Sequence, residues 1–322
     1  MKGIGGYFEL ELPFGNKKFL HSDGMLLNSG RNALKYILKS VGTVRKVWVP
    51  DYTCNSIRKS VEDLDISYDI YPVDQKLEPA YLPSLSDNEY IVINNYFGVK
   101  DGFIKKMIDL YQDRLIIDNT QAWFHNTSAS LSFYSPRKYF GVPDGGVAYV
   151  NKNSIYSVDR DCSYERVEHL LKRLDGFTGE GYKDFKRLSS GFTDMPIKQM
   201  SNLTRRLLES IDYSVAKKIR CRNFAILHSA LQNSNMLELP HPGSYECSMT
   251  YPYWTDSPGL RKYLIDNKIF VPVYWQDVLD NADSGEVARQ LSESILALPT
   301  DQRYGEEEMN YIIKTIEGWM CR

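Results

Sequence analysis

The sequence has 322 residues, of which 43% are hydrophobic and 25% charged, and its formal net charge is -2. This composition is typical of a globular enzyme with a sizeable core, and the small net charge gives no sign of a nucleic-acid-binding or membrane-binding surface. The five cysteines and five histidines are dispersed and lack CxxC or HExxH spacing, so we expect neither a disulfide framework nor a metal site.

The first 20 residues carry charged side chains at Glu9, Glu11, Lys17 and Lys18, which interrupt any apolar core of a secretory signal. No run in the chain approaches the roughly 18 apolar residues that a membrane span requires. The sequence therefore predicts a cytoplasmic protein.

From about residue 30, predicted helices alternate with short apolar strands. The expected helices are 32–38, 54–64 and 103–111, and the expected strands are 46–50, 68–71, 90–94, 115–118, 131–134 and 146–150. This alternation predicts an α/β fold, with a mainly parallel sheet sandwiched by helices. Such sheets bind ligands at the carboxyl ends of their strands.

The second half of the chain has a different pattern. Residues 151–195 are polar and irregular, and we expect a loop region there, with 155–195 a candidate lid over a site. A long connecting helix is predicted over about 200–231. The proline-rich segment 239–243 indicates a boundary between a large domain, 1–238, and a small α+β domain, 239–322. The expected elements of the small domain are strands at 248–254 and 269–274 and helices at 259–267 and 306–319.

Three segments contain the candidate functional residues. Ser29 and Gly30 open the first helix, where free backbone N–H groups suit a phosphate, although a plain Ser N-cap is the alternative. Asp118 ends a buried strand and is placed either to pair with a pyridine nitrogen or to cap the next turn. Lys138 lies in a turn between two strands, where a desolvated amine could form an imine, although most loop lysines are solvent-exposed.

Together these segments resemble the DegT/DnrJ/EryC1/StrS family of pyridoxal-phosphate-dependent sugar aminotransferases, which have the type I aminotransferase fold. The similarity spans about residues 25–319. The motifs that match the family pattern are Ser29-Gly-Arg-Asn-Ala-Leu34, Pro50-Asp-Tyr-Thr53, Asp118-Asn-Thr-Gln-Ala122, Ser132-Phe-Tyr-Ser-Pro-Arg-Lys138 and Asp144-Gly-Gly146.

The resemblance assigns roles around the cofactor ring. Lys138 would be the catalytic lysine, joined to pyridoxal 5'-phosphate by an imine and later moving a proton. Asp118 would pair with the ring nitrogen, and Gln121 would lie near the ring's 3-oxygen.

The resemblance also implies a phosphate site. Ser29, Gly30 and Ser132 would belong to it, together with the backbone N–H groups of Arg31 and Asn32. Arg31 stands where the family has threonine, so its guanidinium either contacts the phosphate or points to solvent.

Other departures concern the substrate side. Cys54 replaces the aromatic residue that stacks on the cofactor ring, which leaves Tyr52 or Tyr96 as candidates for that contact. Asn95 replaces a histidine of the family. The family's Asn-Tyr-Arg run, which reaches the partner subunit's site, has no clear counterpart before Ser201.

The resemblance thus implies an aminotransferase. It would transfer an amino group from an amino acid, glutamate by analogy, to a keto-sugar, nucleotide-linked, in polysaccharide or antigen biosynthesis. A homodimer is implied as well. Two alternatives stay open: another pyridoxal-phosphate enzyme acting on a non-nucleotide substrate, and a non-catalytic protein of the same fold.

Overall fold

A computed structural model of the chain describes residues 7–13, 18–127, 131–150 and 157–321. The strands are β1 (Met25–Leu27), β2 (Lys46–Pro50), β3 (Ser67–Tyr71), β4 (Glu89–Asn94), β5 (Leu115–Asp118), β6 (Ser132–Tyr134), β7 (Gly146–Tyr149), β8 (Thr250–Trp254) and β9 (Ile295–Pro299). The helices are α1 (Gly30–Ser40), α2 (Asn55–Glu62), α3 (Asp101–Tyr111), α4 (Glu168–Leu174), α5 (Thr178–Ser190), α6 (Asn202–Glu209), α7 (Tyr213–Leu231), α8 (Leu260–Asp266), α9 (Gln276–Asp280), α10 (Glu286–Ser294) and α11 (Glu306–Met320).

The first seven strands form one sheet in the order β1-β7-β6-β5-β4-β2-β3. Strands β2 to β6 run parallel to one another, whereas β7 and β1 are antiparallel to their neighbours. The predicted mainly parallel sheet is therefore confirmed. Its central strand β5 is buried at all four residues, as expected for a strand covered on both faces.

Successive strand residues point to opposite sides of the sheet. Apolar side chains therefore lie on both faces, and helices cover them. On one side Ile116 and Phe133 pack in a core cluster with residues of α1 and α2. On the other side Ile117 and Tyr134 join a larger cluster. The predicted sandwich of a sheet between helices is thus present.

The larger cluster continues into the second sheet, in which β8 pairs antiparallel with β9. Helix α7 packs against α11 and β8. The proposed boundary at residues 238 and 239 remains a prediction, since the two parts share this core. Within the described ranges, no helix is both long and apolar enough to cross a membrane.

Several sequence expectations are wrong in detail. The long helix over 200–231 is two helices, α6 and α7, because Asp212 accepts a hydrogen bond from the Val215 N–H (3.0 Å) and starts a new helix there. The irregular region expected at 151–195 contains α4 and α5, although residues 151–156 lie outside the described part. Residues 269–274 form no strand, and β1 and β9 were missed.

Candidate active site

The candidate site lies at the carboxyl ends of the parallel strands. Asp118 is the last residue of β5, and in register it pairs with Asn94 of β4 and Phe133 of β6. Strand β6 ends at Tyr134 and leads into a single helical turn, Pro136–Lys138. The two predicted functional side chains, Asp118 and Lys138, therefore come from adjacent strands at the same sheet edge.

Thr120 connects the lysine with the aspartate. The Lys138 Nζ donates a hydrogen bond to Thr120 Oγ1 (2.8 Å), and the Thr120 N–H donates to Asp118 Oδ1 (2.8 Å). Lys138 is exposed, whereas Asp118 is buried. An amine that solvent can reach therefore lies next to a buried carboxylate.

Burial controls the electrostatics of this pair. It lowers the pKa of Lys138, and the Arg31 guanidinium lowers it further, while Asp118 and Cys54 act in the opposite direction. Burial also raises the pKa of Asp118, against the opposing effects of Lys138 and Thr120. Both shifts are towards the neutral forms, so the Lys138 amine is a better nucleophile than a lysine with the ordinary pKa.

The amino end of α1 lies next to this pair. A Cβ atom built on Gly30 would be 3.5 Å from Thr120 Cγ2 and 3.6 Å from Ser135 Cβ. The Ser29 Oγ accepts a hydrogen bond from the Asn32 N–H (3.1 Å), so Ser29 is the N-cap of α1. The structure therefore brings Ser29 and Gly30 to the edge that carries Lys138.

Arg31 and Asn32 differ in what they contribute. Arg31 lies close enough to Lys138 to lower its pKa, and its buried Nε has no hydrogen-bond partner in the described ranges. The Asn32 N–H is used by the Ser29 cap, and its side chain donates to Asn28 Oδ1 (2.8 Å) and the Pro196 carbonyl (2.9 Å). Asn32 thus stabilises the local fold. Arg31 is the residue whose Nε–H donor is not used within the described ranges.

The structure does not place the Ser132 hydroxyl with these groups. Ser132 begins β6, away from its carboxyl end, and its Oγ donates to the Thr127 carbonyl (3.2 Å). The serine beside Gly30 is Ser135, directly after the strand. Sequence reasoning missed Ser135, although its position after the predicted strand end was an available signal.

Gln121 and Asn95 both take part in a turn after β4. The Gln121 Oε1 accepts from the Phe97 N–H (2.8 Å), and its buried Nε2 has no partner in the described ranges. The Asn95 side chain donates to Asp101 Oδ1 (2.8 Å) and accepts from the Lys100 N–H (3.0 Å). Asn95 therefore has a structural role, and Gln121 retains a free donor.

The aromatic candidates pack with one another. The Tyr52 and Tyr96 rings stack with centroids 5.3 Å apart, and the Trp275 ring meets Tyr52 edge-on at 5.1 Å. Both tyrosines are buried. Cys54 caps α2 and acts electrostatically on Lys138. The stacking of a tyrosine on a cofactor ring remains a prediction.

Sequence reasoning also missed a group of cations beside the Lys138 turn. The Arg137 and Arg166 guanidinium carbons lie 4.0 and 5.9 Å from the centroid of the buried Phe192 ring. Burial lowers the pKa of Arg137 to about 10, and the charges of Arg31 and Arg166 contribute to this. Arg137 thus lies near Arg31, while Arg166 is paired with Asp161 (2.8 Å) and Asp144 (3.6 Å).

These groups fit pyridoxal phosphate. An amine with a lowered pKa suits the aldehyde, and a buried carboxylate suits the ring nitrogen. A helix amino end beside Arg31, whose Nε has no hydrogen-bond partner in the described ranges, suits the phosphate. Among the residues that the structure describes, no group of three or more histidine, cysteine, aspartate or glutamate side chains is placed to hold a metal ion. Two cavities, of about 360 and 830 Å³, are lined by neither Lys138 nor Asp118, so the site is identified by its chemistry and its position in the sheet.

No protein-family model and no curated protein matches this sequence. Solved structures do match the fold. NtdA from Bacillus subtilis, with bound cofactor PMP, is 13% identical with a TM-score of 0.67, and the match covers 92% of this chain and 73% of NtdA. A DegT DnrJ EryC1 StrS aminotransferase from Brucella abortus is 17% identical with a TM-score of 0.59, covering 92% and 85% of the two chains.

The sugar aminotransferase CalS13 from Micromonospora echinospora is 14% identical with a TM-score of 0.63, and the match covers 91% of this chain and 86% of CalS13. At such low identity the likeness establishes the architecture alone. The chain has the fold of the DegT/DnrJ/EryC1/StrS sugar aminotransferases.

Proposed function

We propose that this protein is a pyridoxal-phosphate-dependent aminotransferase. The observation that supports this most directly is the contact of Lys138 with Thr120, which in turn binds Asp118, at the carboxyl edge of the sheet. Bound pyridoxal phosphate would supply an aldehyde that captures amines and a ring that accepts electrons.

Each residue of the site has a role in this proposal. The Lys138 Nζ would attach the cofactor and then carry the proton that leaves the substrate carbon. The Asp118 carboxylate would hold a proton at the ring nitrogen. Gln121 would donate from its free Nε2 to the ring's 3-oxygen, and Arg31 with the amino end of α1 would bind the phosphate.

The substrates and the assembly belong to the same proposal. The amino donor would be an amino acid, glutamate by analogy, and the acceptor a keto-sugar, nucleotide-linked, in polysaccharide or antigen biosynthesis. Solved sugar aminotransferases of this fold support the sugar acceptor. We further propose a cytoplasmic homodimer. The exposed apolar side chains of Leu174, Phe177 and Tyr182 on and beside α4 and α5 support a surface that a second copy covers.

The test is an absorbance titration of the purified protein with pyridoxal phosphate. We expect the wild type to develop a visible band, and borohydride reduction followed by peptide mass spectrometry to place the cofactor on Lys138. The variant K138A should lose both signals. Lys105→Ala, which removes an exposed lysine of α3, is the matched control and should retain them.

The outcomes separate the alternatives. A wild-type protein that never develops the band would support the non-catalytic protein of this fold. A band that forms but does not decay with any amino acid would favour a different pyridoxal-phosphate reaction. Decay with glutamate and recovery with a keto-sugar nucleotide would support the full proposal.

A further inference from the structure

Two cysteines outside the candidate active site lie next to each other. Cys221 is on α7 and is exposed, whereas Cys247 precedes β8 and is 1% exposed. Cys247 directly follows Glu246 in the chain, and each of the two thiols shifts the pKa of the other. The Cys221 Sγ also lies 3.7 Å from the Glu246 carbonyl oxygen, to which it donates. The exposed sulfur is therefore held against the segment that carries the buried one.

Charged neighbours make Cys221 the more reactive thiol. Lys217, one helical turn before Cys221, forms an ion pair with Glu246. The contact with Cys247 lowers the pKa of Cys221 to about 7, and Lys217 and Arg220 contribute in the same direction. The same contact and burial raise the pKa of Cys247. Cys221 is thus the more acidic thiol of the pair.

Small oxidants can reach the Cys221 sulfur, because this residue is exposed. A cavity of about 830 Å³ lies near it, lined by Lys217, Tyr245 and Glu246 but by neither cysteine. A low-pKa, accessible cysteine beside a second thiol is the arrangement that peroxide-sensing cysteines use.

We propose that Cys221 and Cys247 are a peroxide-sensitive pair that closes to a disulfide. The Cys221 thiolate attacks hydrogen peroxide, breaks its O–O bond and becomes a sulfenic acid, and the departing hydroxide takes a proton to give water. The Cys247 sulfur then displaces the sulfenic oxygen as a second water, which forms the S–S bond. Both sulfurs are oxidised, and one peroxide is reduced.

The pair is close to contacts that reach the Lys138 turn. Arg220, adjacent to Cys221, donates to the carbonyls of Met249 and Tyr139, each at 3.1 Å. The Cys247 backbone packs on Gly98, where an added Cβ would lie 2.9 Å from the Cys247 carbonyl oxygen. A disulfide would therefore add a covalent link between α7 and the segment leading into β8, beside the Arg220 contacts.

The inference is independent of the proposed function and is tested on the full chain without cofactor. The protein is treated with hydrogen peroxide and mapped by non-reducing peptide mass spectrometry. We expect a Cys221–Cys247 disulfide peptide as the first product. At pH 7, alkylation of Cys221 should be about ten-fold faster than that of the exposed reference Cys162, because a thiolate reacts and a thiol does not.

Variants separate a reactive pair from chance oxidation. C247S should stop at a sulfenic acid on Cys221 that dimedone traps, and C221S should abolish both products at this position. Cys162→Ser is the matched control and should leave the disulfide unchanged. Equal alkylation rates at Cys221 and Cys162, or a first oxidation product that lacks the Cys221–Cys247 peptide, would overturn the proposal.

Discussion

His21 shows how one residue makes stability depend on pH. Its Nε2 donates to the Trp123 carbonyl (2.7 Å), and its ring packs 3.9 Å from the Tyr134 ring centroid. Burial lowers the pKa of His21 from 6.5 to about 4; the contact with Trp123 and the charge of Asp23 oppose this shift, and His125 adds to it. Below pH 6.5 the unfolded chain therefore binds a proton that the folded protein excludes.

The variant H21Q tests whether His21 makes the protein less stable as the pH falls. The unfolding free energy of the wild type should fall as the pH decreases from 6.5 towards 4, since stability falls wherever lowering the pH protonates only the unfolded state. From pH 7 to pH 5 His21 should account for about 2 kcal/mol of that fall. Urea unfolding at both pH values measures it. H21Q should lose this part of the slope, and the exposed control H241Q should keep it; equal slopes in all three proteins would contradict the assignment.

At the same scale, the chemistry of the site was only partly predictable. The positions of Asp118 and Lys138 at and after the ends of adjacent strands were predicted because those strand ends could be read from apolar runs. Thr120 was not identified as their link, since a hydroxyl between two charged groups has no sequence signal of its own. Ser132 was named and Ser135 was not considered, because a motif spacing does not say which serine lies beside Gly30 in the folded chain.

At the scale of elements, the start of β7 is pressed against the start of α1. A Cβ atom on Gly146 would lie 2.2 Å from the Ser29 carbonyl oxygen and 2.8 Å from the Gly30 nitrogen. Only glycine permits this approach, and it brings the amino end of α1 to the sheet edge that carries Lys138.

Gly146→Ala should therefore destabilise the protein by about 3 kcal/mol, as overpacking against backbone atoms does. The matched control is Gly318→Ala in α11, where an added Cβ meets nothing within 4 Å. That change should be neutral or should stabilise by up to about 1 kcal/mol, because alanine is the better helix former. Urea denaturation of the wild type, G146A and G318A measures the three unfolding free energies. A G146A protein as stable as G318A would contradict the close approach of β7 to α1.

Elements with a clear hydrophobic pattern were predicted well, and those formed by tertiary contacts were not. The strand at 115–118 begins and ends where predicted, because its short apolar run lies between the charged residues Arg114 and Asp118. β1 has only three residues, paired with a strand far along the chain. The break between α6 and α7 depends on one capping aspartate inside an otherwise continuous apolar pattern.

At the scale of the whole molecule, Arg220 joins parts that are far apart in sequence. Its guanidinium donates to Tyr139 after the Lys138 turn, to Met249 before β8 and to the Gln302 side chain (2.7 Å) after β9. It also lies 4.5 Å from the Tyr139 ring centroid, and Arg220 is 1% exposed. The buried Arg220 guanidinium thus links the candidate site, at the edge of the large sheet, to the two-stranded sheet of β8 and β9.

Arg220→Ala should lower the unfolding free energy by about 4 kcal/mol, because it removes several charged hydrogen bonds and leaves a cavity. Lys218→Ala, an exposed cation on the same helix, should change stability by less than about 0.5 kcal/mol. Thermal and urea unfolding measure both. Similar small effects for the two variants would show that Arg220 does not join the two parts.

The order of the strands has a consequence for synthesis on the ribosome. Strand β1 emerges before the other six strands of its sheet, yet among the described residues its partner in that sheet is β7, which begins at Gly146. At typical translation speeds the nascent β1 waits on the order of ten seconds for that partner. Until then the growing chain holds an unpaired strand, so a chaperone that prevents wrong pairing would act during this interval.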